Sequence, residues 1–231
     1  METKALKRPA VIFFDVNETL LDMQPLKEKV SQALDGRKEL ASLWVTTMLQ
    51  YALVDTVGGQ YHEFDEIGAA ALQMVASKNN ISITEEKAKE TLKPMRSLPA
   101  HQEVPGALSR LQEAGYTLVT LTNSANQALE EQMTNSGLKQ YFQRLLSVED
   151  TGIYKPHSRV YSWAARKIGV RPEESLMVAA HGWDIAGAKW AGWQAAFIDR
   201  PGQTLYPLSE SPEITVPSLT ELADILIALE K

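Results

Sequence analysis

The sequence contains no cysteine, which excludes a disulfide framework, a thiolate metal site and a cysteine nucleophile at once. Covalent chemistry would have to fall to Ser, Thr, Asp, Glu, Lys or His. No apolar run approaches the roughly 18 residues that a membrane-spanning helix requires. The opening METKALKRPA passes into the short segment VIFF and then an aspartate, without the apolar stretch of a secretory signal. Positive charge is not in excess either: 23 Lys and Arg stand against 29 Asp and Glu, for a formal net charge of −6. A phosphate-backbone partner therefore has no electrostatic footing. Internal repeats and low-complexity tracts are also absent. These absences imply a cytoplasmic protein with neither nucleic acid nor membrane as partner; a homodimer stays open as an assembly.

What is present is a globular balance, 44% hydrophobic over 231 residues, enough for one large domain or one domain carrying an insertion. Short apolar runs recur at 10–14 (AVIFF), 117–121 (TLVTL), 144–148 (RLLSV), 175–179 (SLMVA), 195–198 (AAFI) and 214–216 (ITV). Runs this continuously apolar suit strands buried on both faces of a parallel sheet. Helical patterns separate them. Val160, Ala164 and Ile168 share one face, and Leu219, Leu222, Leu226 and Leu229 share another, opened by Ser218 and Glu221 in capping-box spacing. The alternation predicts an α/β fold with a doubly wound parallel sheet.

Residues 23–98 break the alternation. Leu40, Leu43, Trp44, Thr47, Met48 and Tyr51 mark one helical face there, and Ile67, Ala71, Met74 and Val75 mark a second. A βαβ crossover needs far fewer residues, so the stretch is predicted to be a helical cap inserted into a core made of residues 1–22 and 99–231. The segment SLPAHQEVPG (97–106) would carry the chain back.

In open α/β sheets, ligands sit beyond the carboxyl ends of the strands. There the chain places Asp15, Asn17, Glu18 and Thr19, then Thr122, Asn123 and Ser124, then Lys155-Pro156, then His181, Trp183 and Asp184. Helix capping accounts for any one of these residues. Carboxylates, a lysine, amide and hydroxyl donors and an imidazole at successive strand ends read together as a reaction site.

The stretches FFDVNETLLD (13–22), LTNSA (121–125), LSVEDTGIYKP (146–156) and VAAHGWDIAGAKWAG (178–192) resemble, in order and spacing, the haloacid dehalogenase superfamily of hydrolases, and most closely its 2-haloacid dehalogenase branch. The resemblance covers nearly the whole chain and implies a sheet-and-cap fold like that superfamily's. It also implies that Asp15 is the nucleophile, that Lys155 keeps it ionised, that Thr19 secures its loop, and that Thr122 and Asn123 bind the substrate's anionic group. Tyr161 matches a tyrosine of the dehalogenase pocket. Asp184, next to Trp183, would orient Lys155 or position the hydrolytic water. A desolvated carboxylate beside a fixed cation is a workable nucleophile toward a carbon bearing halogen.

Phosphatases of the same superfamily use a second acidic residue in the first motif as general acid and two acidic residues in the fourth to help hold Mg²⁺. Here Asn17 and Ala180 occupy two of those places. An amide cannot donate as a general acid, and too few oxygen ligands remain for a hard dication, so the expectation is hydrolysis without metal or other cofactor. The departures from the dehalogenase pattern are Asn17, Glu18, Ala180 and His181, and above all Val45, where the family's halide-binding arginine would follow a tryptophan. His181, Asn17, Trp183, or the cap aromatics Tyr51, Tyr61 and Phe64 are the expected substitutes around the leaving group, in a pocket suited to a small halide or an unusual substrate. The resulting reading is a dehalogenase of short 2-haloacids acting through an aspartyl ester on a small anionic substrate. The alternatives are a Mg²⁺-dependent phosphatase and an inert binding protein of the same fold.

Overall fold

The computed structural model describes residues 6–229; positions 1–5 and 230–231 of the expected core segments lie outside the described residues. Six parallel strands form one sheet in the order β3-β2-β1-β4-β5-β6. They are β1 (Val11–Phe14), β2 (Thr117–Thr122), β3 (Arg144–Ser147), β4 (Ser175–Ala179), β5 (Gln194–Ile198) and β6 (Ile214–Val216). Every residue of β1, β4 and β5 is buried, as strands covered by helices on both faces require, which is why they read as unbroken apolar runs. Strand β1 lies between β2 and β4. The chain order reverses there, and the crevice at the carboxyl ends of these three strands is where such a sheet holds its ligand.

Helices α1 (Gln24–Ala33), α2 (Lys38–Gly58), α3 (Phe64–Lys78) and α4 (Glu85–Leu92) intervene between β1 and β2 and pack on one another. Trp44 anchors them: it is fully buried and donates its indole N–H to the carbonyl of Gly68 at 2.9 Å. A side chain at Gly68 would come within 3.1 Å of Leu92 and 3.2 Å of Met48, so the absence of a Cβ permits this close approach. The two crossings between this insertion and the sheet are tied to each other. The Asp22 amide donates to the Pro99 carbonyl at 2.8 Å, and the His101 amide to the Leu20 carbonyl at 3.0 Å.

Two local expectations are corrected. Leu43 is 44% exposed rather than part of the buried face, because the outer face of α2 is itself apolar, with Leu53, Val54 and Val57 also exposed. At α9 (Leu219–Ala228) Ser218 caps through the Thr220 amide, while Glu221 accepts the Ser218 hydroxyl instead of the cap's backbone N–H. The reciprocal half of a capping box does not form. The remaining helices, α5 (Val104–Glu113), α6 (Asn126–Asn135), α7 (Ser158–Ile168) and α8 (Gly182–Trp190), cover the sheet. Among the described residues no helix is long and apolar enough to cross a membrane.

Candidate active site

Strand β1 delivers Asp15, whose backbone N–H continues the ladder by donating to the Val178 carbonyl at 3.0 Å. Its side chain is 6% exposed, and both carboxylate oxygens have partners. Lys155 Nζ donates to Oδ1 at 3.0 Å, while the Thr19 hydroxyl donates to Oδ2 at 2.7 Å and His181 Nδ1 lies 3.0 Å from that same oxygen. Thr19 is itself fixed by the Ala180 amide at 2.9 Å. The loop that carries Asp15 is thus tied to the end of β4.

Lys155 is completely buried at its side chain. Besides Asp15, its ammonium reaches the Leu121 carbonyl at 2.7 Å and Asp184 Oδ2 at 2.6 Å, which uses all the protons an ammonium has. The second oxygen of Asp184 takes the Tyr161 hydroxyl at 2.6 Å. Burial alone would push Asp15 toward the neutral acid, but Lys155, followed by His181 and Thr19, outweighs it and holds Asp15 well below the usual carboxylate range. Asp184 goes the other way, raised chiefly by burial and further by Asp15, with Lys155 pulling against them. Burial opposes the charge of Lys155, yet its two carboxylate partners raise it above the ordinary lysine value. The Tyr161 hydroxyl is pushed far up by burial and then by Asp184, so it remains a donor. The physical outcome is an ionised aspartate in a nearly dry site.

Asp15 opens into a cavity of about 550 Å³. Thr122, Asn123, Asn17, His181 and Trp183 line it from the strand ends, and Val45, Met48, Leu49 and Phe64 line it from the insertion. His181 stacks on Trp183 with ring centroids 5.0 Å apart. Asn123 accepts the Lys155 backbone N–H at 3.1 Å, and Thr122 accepts the Ser124 amide at 3.2 Å.

Not all the expected residues reach the cavity. Tyr161 does not touch it: buried completely against Asp184, it acts on the charge network rather than on a substrate. Asp184, also without exposure, orients Lys155. Tyr51 and Tyr61 are absent from the cavity wall, Tyr61 being stacked on Tyr154 at 5.5 Å. Asn17 lines the cavity, with one amide N–H on Ser124 and its carbonyl oxygen accepting from Gln132. His181 lines the cavity and lies against the Asp15 carboxylate, with Nδ1 3.0 Å from Oδ2.

Two participants, Lys27 and Arg200, escaped the sequence reading. Lys27 and Glu18 line the cavity as an ion pair at 2.6 Å. Arg200, which is buried, donates to the Thr19 carbonyl at 3.0 Å and pairs with Glu103 at 2.6 Å, supporting the nucleophile loop from the segment after β5. Neither Lys27 nor Arg200 had a signal short of the fold.

A Mg²⁺ ion asks for about six oxygen ligands. Around Asp15 stand an ammonium, an imidazole, a hydroxyl and, at Ala180, a methyl group. That donor set does not suit a dication, and no cluster of three or more metal-ligating side chains forms among the described residues.

The family model for haloacid dehalogenase-like hydrolases matches residues 9–192. Haloacetate dehalogenase H-2 of Moraxella sp. (strain B) is 30% identical over 222 residues, covering 96% of this chain and 99% of that one. The (S)-2-haloacid dehalogenase of Pseudomonas sp. (strain YL) is 27% identical, covering 93% of each. Among solved structures, the L-2-haloacid dehalogenase RSc1362 superposes with a TM-score of 0.90 at 26% identity, over 96% of this chain and 100% of that one. The fold, the order of the motifs and the family match agree: this chain belongs to the haloacid dehalogenase-like hydrolases.

Proposed function

We propose that the chain is a hydrolytic dehalogenase of short 2-haloacids that works through an aspartyl ester. The observation that carries this reading is the ionised, buried Asp15, held by Lys155 on one oxygen and by Thr19 and His181 on the other, facing a cavity lined by polar donors from the strand ends and by a mixture of apolar and polar side chains from the insertion. Thr122 and Asn123 bind the substrate carboxylate. Asp15 Oδ2 attacks the halogen-bearing carbon; the new C–O bond forms as the C–X bond breaks, and the halide leaves with the electron pair. Halide needs no proton, so the amide at Asn17 is no handicap here, whereas it would deprive a phosphatase of its general acid.

In the second half, water attacks Cγ of the ester and His181 takes its proton. The carbonyl oxygen left at Oδ1 develops negative charge against Lys155, a preorganised cation that need not move to meet it. Collapse expels the 2-hydroxy acid, whose oxygen recovers one of the water's protons while the other passes to solvent. Asp15 is regenerated carrying one oxygen from water. In this reading residues 23–98 act as a cap over the core of residues 1–22 and 99–231, closing the apolar wall over the site; the enzyme is cytoplasmic and uses no cofactor.

Multiple turnovers of 2-chloropropionate in ¹⁸O-water are expected to place label in the Asp15 carboxylate, read by mass spectrometry of the peptide that contains it. Label in the product with none in Asp15 would mean that water attacks the substrate directly. A second expectation concerns metal: halide release persists unchanged in EDTA. Activity lost to chelation and restored by Mg²⁺ would replace this reading with the phosphatase one.

A further inference from the structure

We infer that Lys27 is the cation that supports the departing halide, with Glu18 as its positioning residue. This rests on the dehalogenase reading above. A carbon–halogen bond breaking inside a partly apolar cavity gathers negative charge on the halogen, and such charge calls for a preorganised positive group. Val45 offers none, and Lys155 has no proton to spare, since its ammonium is committed to Asp15, Asp184 and the Leu121 carbonyl. Lys27 is the one lysine or arginine on the cavity wall among the described residues. It enters from α1, on the insertion side, and among the described residues its ammonium makes one hydrogen bond, to Glu18 Oε2 at 2.6 Å, which leaves N–H groups free for an anion.

Glu18 has a backbone φ of 64°, a left-handed conformation unfavourable for a residue with a Cβ. The loop is held there in part by His101, whose Nε2 lies 2.9 Å from the Glu18 carbonyl. Glycine would occupy the position without strain, but glycine could not hold Lys27. Strain kept at the third residue after the nucleophile, in favour of a carboxylate that grips a cavity lysine, is the pattern expected of a functional device. The pair is also largely enclosed, with side-chain exposures of 26% for Lys27 and 11% for Glu18, so its field is screened less than that of a surface pair.

Single-turnover halide release, measured at saturating 2-chloropropionate and 2-bromopropionate, isolates the step in which the bond breaks. Lys27→Met is expected to slow chloride release by about 100-fold and bromide release by clearly less, because the poorer leaving group depends more on the cation. The double variant Lys27→Met/Glu18→Gln, which leaves no uncovered carboxylate, is expected to show the same dependence on halide. Equal losses on both halides, a raised half-saturation with an unchanged maximal rate, or a double variant restored to the wild-type rate would each overturn the assignment. Wild-type protein releasing neither halide would instead remove the dehalogenase reading beneath it.

Discussion

Lys155→Met is expected to lower halide release on the order of 10³-fold and folding stability by about 3–5 kcal/mol. The two losses have one origin. Lys155 is the shared partner of two buried carboxylates, Asp15 at 3.0 Å and Asp184 at 2.6 Å. Without it, Asp15 keeps the burial that pushes it toward neutrality and loses the largest influence holding it below the usual carboxylate range. A protonated aspartate is no nucleophile, and an ionised one left unpaired in a dry site is costly. The pH dependence follows with a definite sign. The lysine is raised in the folded state, so its contribution is complete below the unfolded lysine value of about 10.4 and is lost as pH rises through the higher folded value. Asp15 is depressed, so its contribution is present above the unfolded carboxylate range and lost as pH falls through the folded value; Asp184, raised, acts in the opposite sense and partly offsets it. Urea unfolding of wild type and variant should therefore differ most near neutrality and converge in strong alkali. A Lys155→Met enzyme that keeps more than about a tenth of the wild-type rate would mean that the lysine is not what arms Asp15.

The sheet was legible because strands covered by helices on both faces are rich in apolar residues: all six runs became strands with ends shifted by at most a residue. The site was legible wherever chemistry sits directly at a strand end, as with Asp15, Thr122, Asn123 and His181. Periodicity failed at α2, since a helix apolar around most of its circumference does not say which face is inward, and Leu43 turned outward. It failed differently at Tyr161. Helical spacing placed that ring inside but did not show whether its hydroxyl ends in the cavity or, as found, on Asp184. Lys27 and Arg200 were out of reach because their partners, Glu18 and the Thr19 carbonyl, lie respectively 9 and 181 positions away along the chain, distances that only tertiary structure closes. Glu18 was visible as an odd residue in the first motif, yet an exposed loop glutamate would look the same in sequence; its positive φ and buried ion pair distinguish the two.

His181→Gln is expected to separate the two halves of the reaction. Hydrolysis of the ester requires a base at Cγ, and the other groups near Asp15 are already committed. Asp184 accepts from Lys155 and Tyr161 and has no exposure to the cavity, Lys155 has no free proton position, and Glu18 is bonded to Lys27. His181 lines the cavity, its ring stacks on Trp183, and its Nδ1 lies 3.0 Å from Asp15 Oδ2. While Asp15 is ionised, that nitrogen serves as donor; once Oδ2 becomes an ester oxygen it no longer holds the proton there, and exchange with solvent that moves the ring proton to Nε2 leaves the Nδ1 lone pair for water. Glutamine keeps a polar amide of similar reach but offers no base. The variant should release one equivalent of halide per chain in a burst and then turn over about 10²- to 10⁴-fold more slowly than wild type, while intact-protein mass spectrometry shows a carboxyalkyl group resident on Asp15. Steady turnover with no adduct would take the hydrolytic role away from His181. Collapse of the burst itself, with no halide released even once, would place the ring on the leaving group instead, the role first expected of it because Val45 stands where an arginine would be.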